Sequence, residues 1–437
     1  MSQIHRRARR IGELVKEATP AEVRERLSLV ADLSRELEMA VYLVGGAVRD
    51  LLLTGELRDL DLVVEGSAAD FARALGDRLD AAVKLHPEFL TAEVEDPVGL
   101  RLDIASSRAE SYPEPAALPV VRPGSFEEDL DRRDFTVNTL AVRLGPGEGF
   151  ELIDAKGGLA DLEASLLRIL HPRSFTDDPT RAFRAVRLES RLGLRLEPGS
   201  ERLVTEATEE RVFDRLSATR LRQEVEYLFG EIETLEAALR RLDELGLLSA
   251  LHPRLSLEEE DSRRLARVVD RIVQLEGRGI ELPALELWRL TLMTVAWRLA
   301  PAEREKLVER LGIDGADREL FLGFRECLES TASELSGSGV LPHRAARALA
   351  RLRDEEQVLL AALWADEVEI WVVRWLEELR HIQLTISGRD LLARGATPGP
   401  EIGAVLEATL EARLDGVIGA DEELSQATKL LEEHDRK

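Results

Sequence analysis

The sequence predicts an α+β fold, with a small mixed sheet and its helices over residues 1–150 and an all-helical remainder. Three observations carry that expectation. Apolar runs short enough to be buried strands, VYLV at 41–44 and LDLVV at 60–64, lie in the first part. From residue 151 onward strand signals nearly vanish, and Leu- and Ala-rich segments recur with helical spacing. The length, 437 residues, exceeds a single core, so about two to four domains are expected.

Taken in order, residues 1–40 read as one or two amphipathic helices, with Thr19 and Pro20 as N-cap and first position of the second. VYLV then passes through Gly45-Gly46, a tight turn, into AVRDLLL, which has helical spacing. Backbone N–H groups at such a turn suit phosphate, and Arg49 adds charge one turn further on. In DLDLVV, Asp59 and Asp61 alternate with leucines, so a strand sets both carboxylates on one face. Two neighbouring carboxylates repel, and a divalent cation with a taste for hard oxygen ligands, such as Mg²⁺, removes the conflict. Each feature is common alone. A Gly-Gly turn followed about a dozen residues later by Asp-x-Asp resembles the signature of DNA polymerase β-like nucleotidyltransferases.

GLRLDIA at 99–105 reads as a third strand and carries Asp103, a candidate third carboxylate for a two-metal site. The proline-rich stretch at 106–126 shows no period and reads as a loop long enough to suggest function. DLDRRDFTVNTLAVRL, at 129–144, reads as a helix running into a strand, with Arg132 and Arg133 fit to meet a triphosphate or ribose. The sheet region closes at the GPGEG turn, 145–149. The helices beyond are broken at HPR 171–173 and 252–254, at GRGIELP near 280, and near 376.

Hydrophobic residues at 44% and charged residues at 33% describe a soluble globular protein. No apolar run approaches the roughly 18 residues a membrane helix needs, and MSQIHRRARR lacks a signal core. Cys327, the single cysteine, excludes an internal disulfide, fits a reducing cytoplasm and reads as a small core residue. A net charge of −25 speaks against nucleic-acid binding, yet the distribution matters more than the sum. Arginine greatly outnumbers lysine and clusters at 6–10 and 181–195, and it is the residue for bidentate phosphate contacts.

A helix is predicted from Phe175 in SFTDDPTRAFRAVRLESRLG, with Asp178 and Pro179 as N-cap and first residue. Arg181, Arg184, Arg187 and Arg191 then form a basic stripe opposite Ala182, Phe183 and Val186. Asp178 accepts and Arg181 donates, a pairing that matches the base edges of cytosine and adenine and not those of guanine or uracil.

GGAVRD, DLD, RRDFTVN, DAKGGLADL, DDPTRAFRAVR and SATRLRQE stand in the order of the motifs of class II tRNA nucleotidyltransferases. The chain resembles that family of CCA-adding, A-adding and CC-adding enzymes, which also contains bacterial poly(A) polymerases. The resemblance is dense over 25–230 and thinner over 385–420, where the C-terminal segment is more similar to the tRNA enzymes. It implies a polymerase β-like head at 1–150, a base-reading neck at 151–232, a helical body at 233–376 and a tRNA-binding tail at 377–437.

The resemblance further implies template-independent addition of C, A or both to the 3′ end of tRNA, with pyrophosphate released. Asp59 and Asp61 would bind two Mg²⁺ ions and, with Asp103, form the catalytic group. Gly45, Gly46 and Arg49 would contact the triphosphate, and Arg132 and Arg133 the nucleotide. Asp178 and Arg181 would read the base, with Arg184 and Arg187 on the phosphate side. The implied partners are the tRNA 3′ end, ATP and CTP, with no membrane, and a separate CC-adding enzyme if only A is added. Alternatives are a poly(A) polymerase or an inactive RNA-binding scaffold, the latter disfavoured by the intact motif residues. Two departures stand out: Asp177 replaces the usual Glu before Asp178, and Thr219 replaces the usual Glu before Arg220. CC-adding relatives lack a flexible loop before the RRDFT motif, so the long 106–126 stretch predicts addition of the terminal A. Nothing in the residues marks a loss of CTP use, which leans the reading slightly toward complete CCA addition.

Overall fold

The computed structural model describes residues 2–57, 60–145, 149–337, 339–364 and 366–435. The chain divides into two compact units, Met1–Glu224 with Arg241–Ala250, and Val225–Arg240 with Leu251–Lys437.

The first unit holds the sheet. Its strands in chain order are β1 (Val41–Val44), β2 (Asp61–Val64), β3 (Ala82–His86), β4 (Thr91–Glu95), β5 (Arg101–Ser106), β6 (Arg108–Ser111), β7 (Val120–Pro123), β8 (Ala141–Gly145) and β9 (Gly149–Ile153). Seven of them form one mixed sheet in the order β3-β4-β5-β2-β1-β8-β9, in which only β2 and β5 run parallel. β1 is buried throughout and β2 from Leu62 onward, as their apolar runs predict. Helix Gly46–Thr54 buries Val48, Leu51 and Leu52, and helix Ala68–Leu79 buries Phe71 and Leu75. A second apolar cluster joins Tyr42, Val44, Val63 and Ala141 to Phe126 and Leu130, with the Tyr42 and Phe126 rings stacked 3.7 Å apart. Both oxygens of Glu65 fix this joint, one accepting from the Tyr42 hydroxyl at 2.9 Å and the other from the Phe126 N–H at 3.1 Å.

Several local expectations are corrected. The N-terminal segment forms three helices, Gln3–Arg9, Ile11–Ala18 and Ala21–Glu36. Thr19 is not the cap of the last one, because its hydroxyl donates backward to the Val15 carbonyl at 2.7 Å. The N-terminal arginines are partly engaged within the protein: Arg7 donates to the last carbonyls of helix Gly46–Thr54, and Arg10 pairs with Glu13 and Glu17. The strand carrying Asp103 is the fifth in sequence, since the β3–β4 hairpin precedes it. The 106–126 stretch is an ordered hairpin, β6 paired with β7 from Arg108 opposite Pro123 to Ser111 opposite Val120. Helix Phe126–Asp131 ends before the RRDFT run, which continues as an irregular turn into β8. The GPGEG turn falls largely outside the described residues.

Among the described residues beyond β9 the elements are helices apart from a two-residue parallel strand pair, Leu166–Leu167 with Arg195–Leu196, and an isolated bridge from Ile169 to Phe135. In the second unit, helix Gly315–Leu335 buries Phe321, Phe324, Leu328 and Leu335. Cys327 stands one position off that face and is exposed, so it is not a core residue. Among the described residues no helix is long and apolar enough to cross a membrane.

Candidate active site

β2 starts at Asp61, and its parallel partner β5 sets Asp103 directly alongside, while Glu93 on β4 is registered with Asp103 from the other side. Registered neighbours project to one face, so three carboxylates form a row across three strands. All three line a cleft of about 670 Å³, together with Gly45, Gly46, Arg132, Arg133, Asp178, Arg181 and Arg184. Arg101 Nε donates to Asp103 at 3.1 Å. Asp59 lies outside the described residues, and among the described residues no group of three or more His, Cys, Asp or Glu is arranged to enclose an ion. The Asp61–Asp103 pair, hard oxygens facing one open cleft, is a donor set that fits a divalent cation such as Mg²⁺.

The turn above this floor is built on glycine for two reasons. Gly45 has φ +69° and ψ −130°, and a Cβ there would stand 3.0 Å from Arg133 Nη1. Its N–H is committed to the Leu140 carbonyl at 3.2 Å, so the phosphate-facing groups expected of Gly45-Gly46 begin at Gly46, the first residue of the helix. Arg49 departs from expectation. It is buried, with Nε on Asp50 at 2.8 Å and Nη1 on the Asn138 side chain at 2.6 Å, and it braces the wall of the site.

From Asn138 the bracing continues. Its amide donates to Asp134 at 2.8 Å, and Arg184 Nη2 approaches the other Asp134 oxygen at 2.8 Å. Burial alone would raise the Asp134 carboxyl, but Arg184, the Asn138 hydrogen bond and Arg181 outweigh it and hold the group below its ordinary range. Arg49, Asn138, Asp134 and Arg184 thus form one polar chain running from helix Gly46–Thr54 to helix Thr180–Leu192.

Arg132 and Arg133 both lean on Asp129, one helical turn before them. Its Oδ1 accepts from Arg132 Nε and Nη2 at 2.9 and 2.8 Å, and its Oδ2 from Arg133 Nη2 at 2.9 Å. Arg132 also donates to Glu110 on β6 at 3.1 Å. Tyr112 donates to the same carboxylate at 3.0 Å, and burial first, then that charge, push its hydroxyl up to about 12.

The expected base-reading pair is in the cleft, but in a different arrangement. The helix starts at Thr180 with Pro179 in the cap position, one residue later than expected, and Asp178 precedes it, accepting from the Thr180 N–H at 3.1 Å and its hydroxyl at 2.6 Å. Arg181 is buried rather than part of an exposed stripe, donating to Ser174 and to the Arg132 carbonyl at 2.7 Å each. Its Nε stands 3.9 Å from Asp178. Arg187 points to Glu224 at 4.0 Å instead of to the cleft floor, and burial raises that carboxyl despite Arg187 and Arg184.

A family described as the Poly A polymerase head domain matches residues 41–168. An A-adding tRNA nucleotidyltransferase of Geobacter sulfurreducens is 35% identical over 420 residues, covering 94% of this chain and 47% of that protein. Another, of Halalkalibacterium halodurans, is 31% identical over 376 residues, covering 86% of this chain and 84% of that protein. The chain belongs to the class II tRNA nucleotidyltransferases. It spans about half the length of the Geobacter relative. A solved CCA-adding enzyme in an apo form shares the fold of this chain with a TM-score of 0.80, at 29% identity over 95% of this chain and 97% of that one. Chemistry of this family depends on a divalent metal.

Around the cleft, the sequence reading gave no role to Asp129, Glu110, Asp134 or Arg220. Arg220 donates to Asp178 and, at 3.0 Å, to the Ala116 carbonyl in the β6–β7 connection. The Ala116 N–H in turn donates to Thr176 at 3.0 Å. Asp134 and Arg220 stood in the RRDFTVN and SATRLRQE motifs, and Asp129 was legible from its helical spacings of three and four to Arg132 and Arg133.

Proposed function

We propose that this tRNA nucleotidyltransferase adds the terminal adenosine to a tRNA ending in CC, taking it from ATP. The 3′ hydroxyl of the tRNA attacks the α-phosphorus, the bond to the bridging oxygen breaks, and pyrophosphate leaves. Asp59, Asp61 and Asp103 would hold two Mg²⁺ ions, which would supply charge neutralisation at the attacking and leaving oxygens. Gly46 and the arginines Arg132 and Arg133, which line the same cleft, receive the triphosphate. Asp178 and Arg181 meet the base, with Arg184 nearby, while Arg49 and Arg187 support the wall rather than touch the nucleotide. In this reading residues 1–150 are the head, 151–232 the neck, 233–376 the body and 377–437 the tRNA-holding tail, in a cytoplasmic protein.

The observation that carries the reading is the Asp61–Asp103 pair on the floor of a cleft walled by arginines. The choice of A over full CCA rests on the two relatives above, both named A-adding. Complete CCA addition is the second reading, favoured by the CCA-adding enzyme of the same fold. Two transcripts decide, one lacking CCA and one ending in CC, each offered ATP and CTP with Mg²⁺. Extension of the second alone by one A is expected. Extension of the first to CCA selects the second reading, and no incorporation in either lane removes both.

A further inference from the structure

Two guanidinium groups adjacent in sequence repel each other, and on a short turn they would splay apart into solvent. Arg132 and Arg133 do not. Both reach the side chain of Asp129, which is fully buried, while their own side chains remain 18% and 13% exposed. The carboxylate divides its two oxygens between them, Oδ1 for Arg132 and Oδ2 for Arg133. That division fixes both rotations at once, since each guanidinium is planar and donates along set directions. Glu110 also pairs with Arg132 and with Arg108 at 2.9 Å, so three arginines share two carboxylates and leave a net positive group lining the cleft, which suits an anion of higher charge. The backbone supports the arrangement: the Ser125–Glu128 capping box starts the short helix, and Phe126 pins it to Tyr42.

We propose that Asp129 is the positioning residue that aims Arg132 and Arg133 at the triphosphate of the incoming nucleotide. It touches neither nucleotide nor RNA, and it acts through the two arginines. The inference rests on the nucleotidyl-transfer reading above and adds to it a residue that governs nucleotide affinity separately from RNA affinity.

The test uses the full chain with Asp129→Asn, which keeps the shape and removes the charge. ATP binding without RNA is measured by calorimetry, and steady-state addition of A is followed on a tRNA ending in CC. Loss of a charge-assisted anchor for two arginines is expected to weaken ATP binding and raise the ATP KM by about tenfold or more. The KM for tRNA should stay within about twofold and kcat within about threefold, because RNA contacts and the carboxylate row are untouched. In an Arg132→Ala, Arg133→Ala background the same change should shift ATP binding by less than about twofold, since the groups it aims are gone. ATP affinity within about twofold of the parent in folded Asp129→Asn overturns the proposal, as does an equal loss for ATP and tRNA. If Asp129→Asn does not fold, Asp129→Glu, longer by one methylene, must weaken ATP binding relative to the parent, and parental ATP affinity in that variant refutes the role. A parent that binds ATP but transfers nothing to tRNA would fail the function reading and leave the calorimetric test of Asp129 intact.

Discussion

Asp61 and Asp103 stand side by side on the one parallel strand pair of the sheet, at the mouth of β2 where the cleft begins. On the proposed reading each would be a ligand that no neighbour replaces. Asp61→Asn and Asp103→Asn are expected to lower transfer by about a hundredfold or more with little change in melting temperature. Radiolabelled ATP incorporation at saturating Mg²⁺ checks this; retention of more than about a tenth of the parental turnover by either variant would remove that residue from the catalytic group.

Gly45→Ala places a methyl group 3.0 Å from Arg133 at a φ of +69°. The expected cost is about 1–3 kcal/mol of stability. Arg133 is the group displaced, so the ATP KM should rise as well, and an urea titration together with ATP kinetics measures both effects. An unaltered midpoint and KM would mean that the turn relaxes freely.

Two buried carboxylates should give pH dependences of opposite sign. Asp134 titrates below its ordinary 3.8, so its contribution to stability is present above that value and is lost as the pH falls through the folded-state value. Asp134→Asn should therefore destabilise by about 1–3 kcal/mol at pH 7, with the gap closing in acid. Glu224 titrates above its ordinary 4.5, so folding is favoured by its protonated form and that contribution is lost as the pH rises. Glu224→Gln should be at least as stable as the parent at pH 7, with the difference vanishing below 4.5. Denaturation midpoints of the two variants between pH 3 and pH 8 separate these cases, and parallel curves would contradict both.

Arg220 is the residue that holds Asp178 from behind while gripping the Ala116 carbonyl. Arg220→Met should leave transfer measurable but reduce the preference for ATP over GTP by about tenfold, because Asp178 loses one fixed donor. Competition between the two nucleotides on one tRNA reads the ratio directly. An unchanged ratio would show that Asp178 is held well enough by Thr180.

What the sequence made legible follows from burial. VYLV and LDLVV could be read as strands because both faces of β1, and most of β2, are buried and therefore apolar. β3 escaped because it lies at the sheet edge and carries no apolar run. The β6–β7 hairpin escaped because Pro113, Pro115 and Pro119 lie in its connection, and proline reads as an interruption of strand pairing. In the site, residue types and order pointed to the right cleft, but helical spacing could not tell a stripe facing solvent from one facing protein. Arg181 is sequestered by Ser174 and a carbonyl distant in sequence, and Arg49 by Asn138, contacts that no periodicity announces.

The parallel pairing of β2 with β5 also governs when the site comes into being. A hairpin closes over a few residues, whereas β5 reaches β2 only after a helix and the whole β3–β4 hairpin have been laid down. β1 pairs early with β2 but gains its second neighbour only with β8. Closing such long loops is entropically slow, so the carboxylate row assembles late in folding. A ribosome-bound or clipped chain ending before β8 already carries Asp61 and Asp103 yet lacks the strand that fixes β1 and the glycine turn. A chain cut before β8 is therefore expected to show no nucleotidyl transfer, and activity recovered on refolding is expected to follow completion of the sheet.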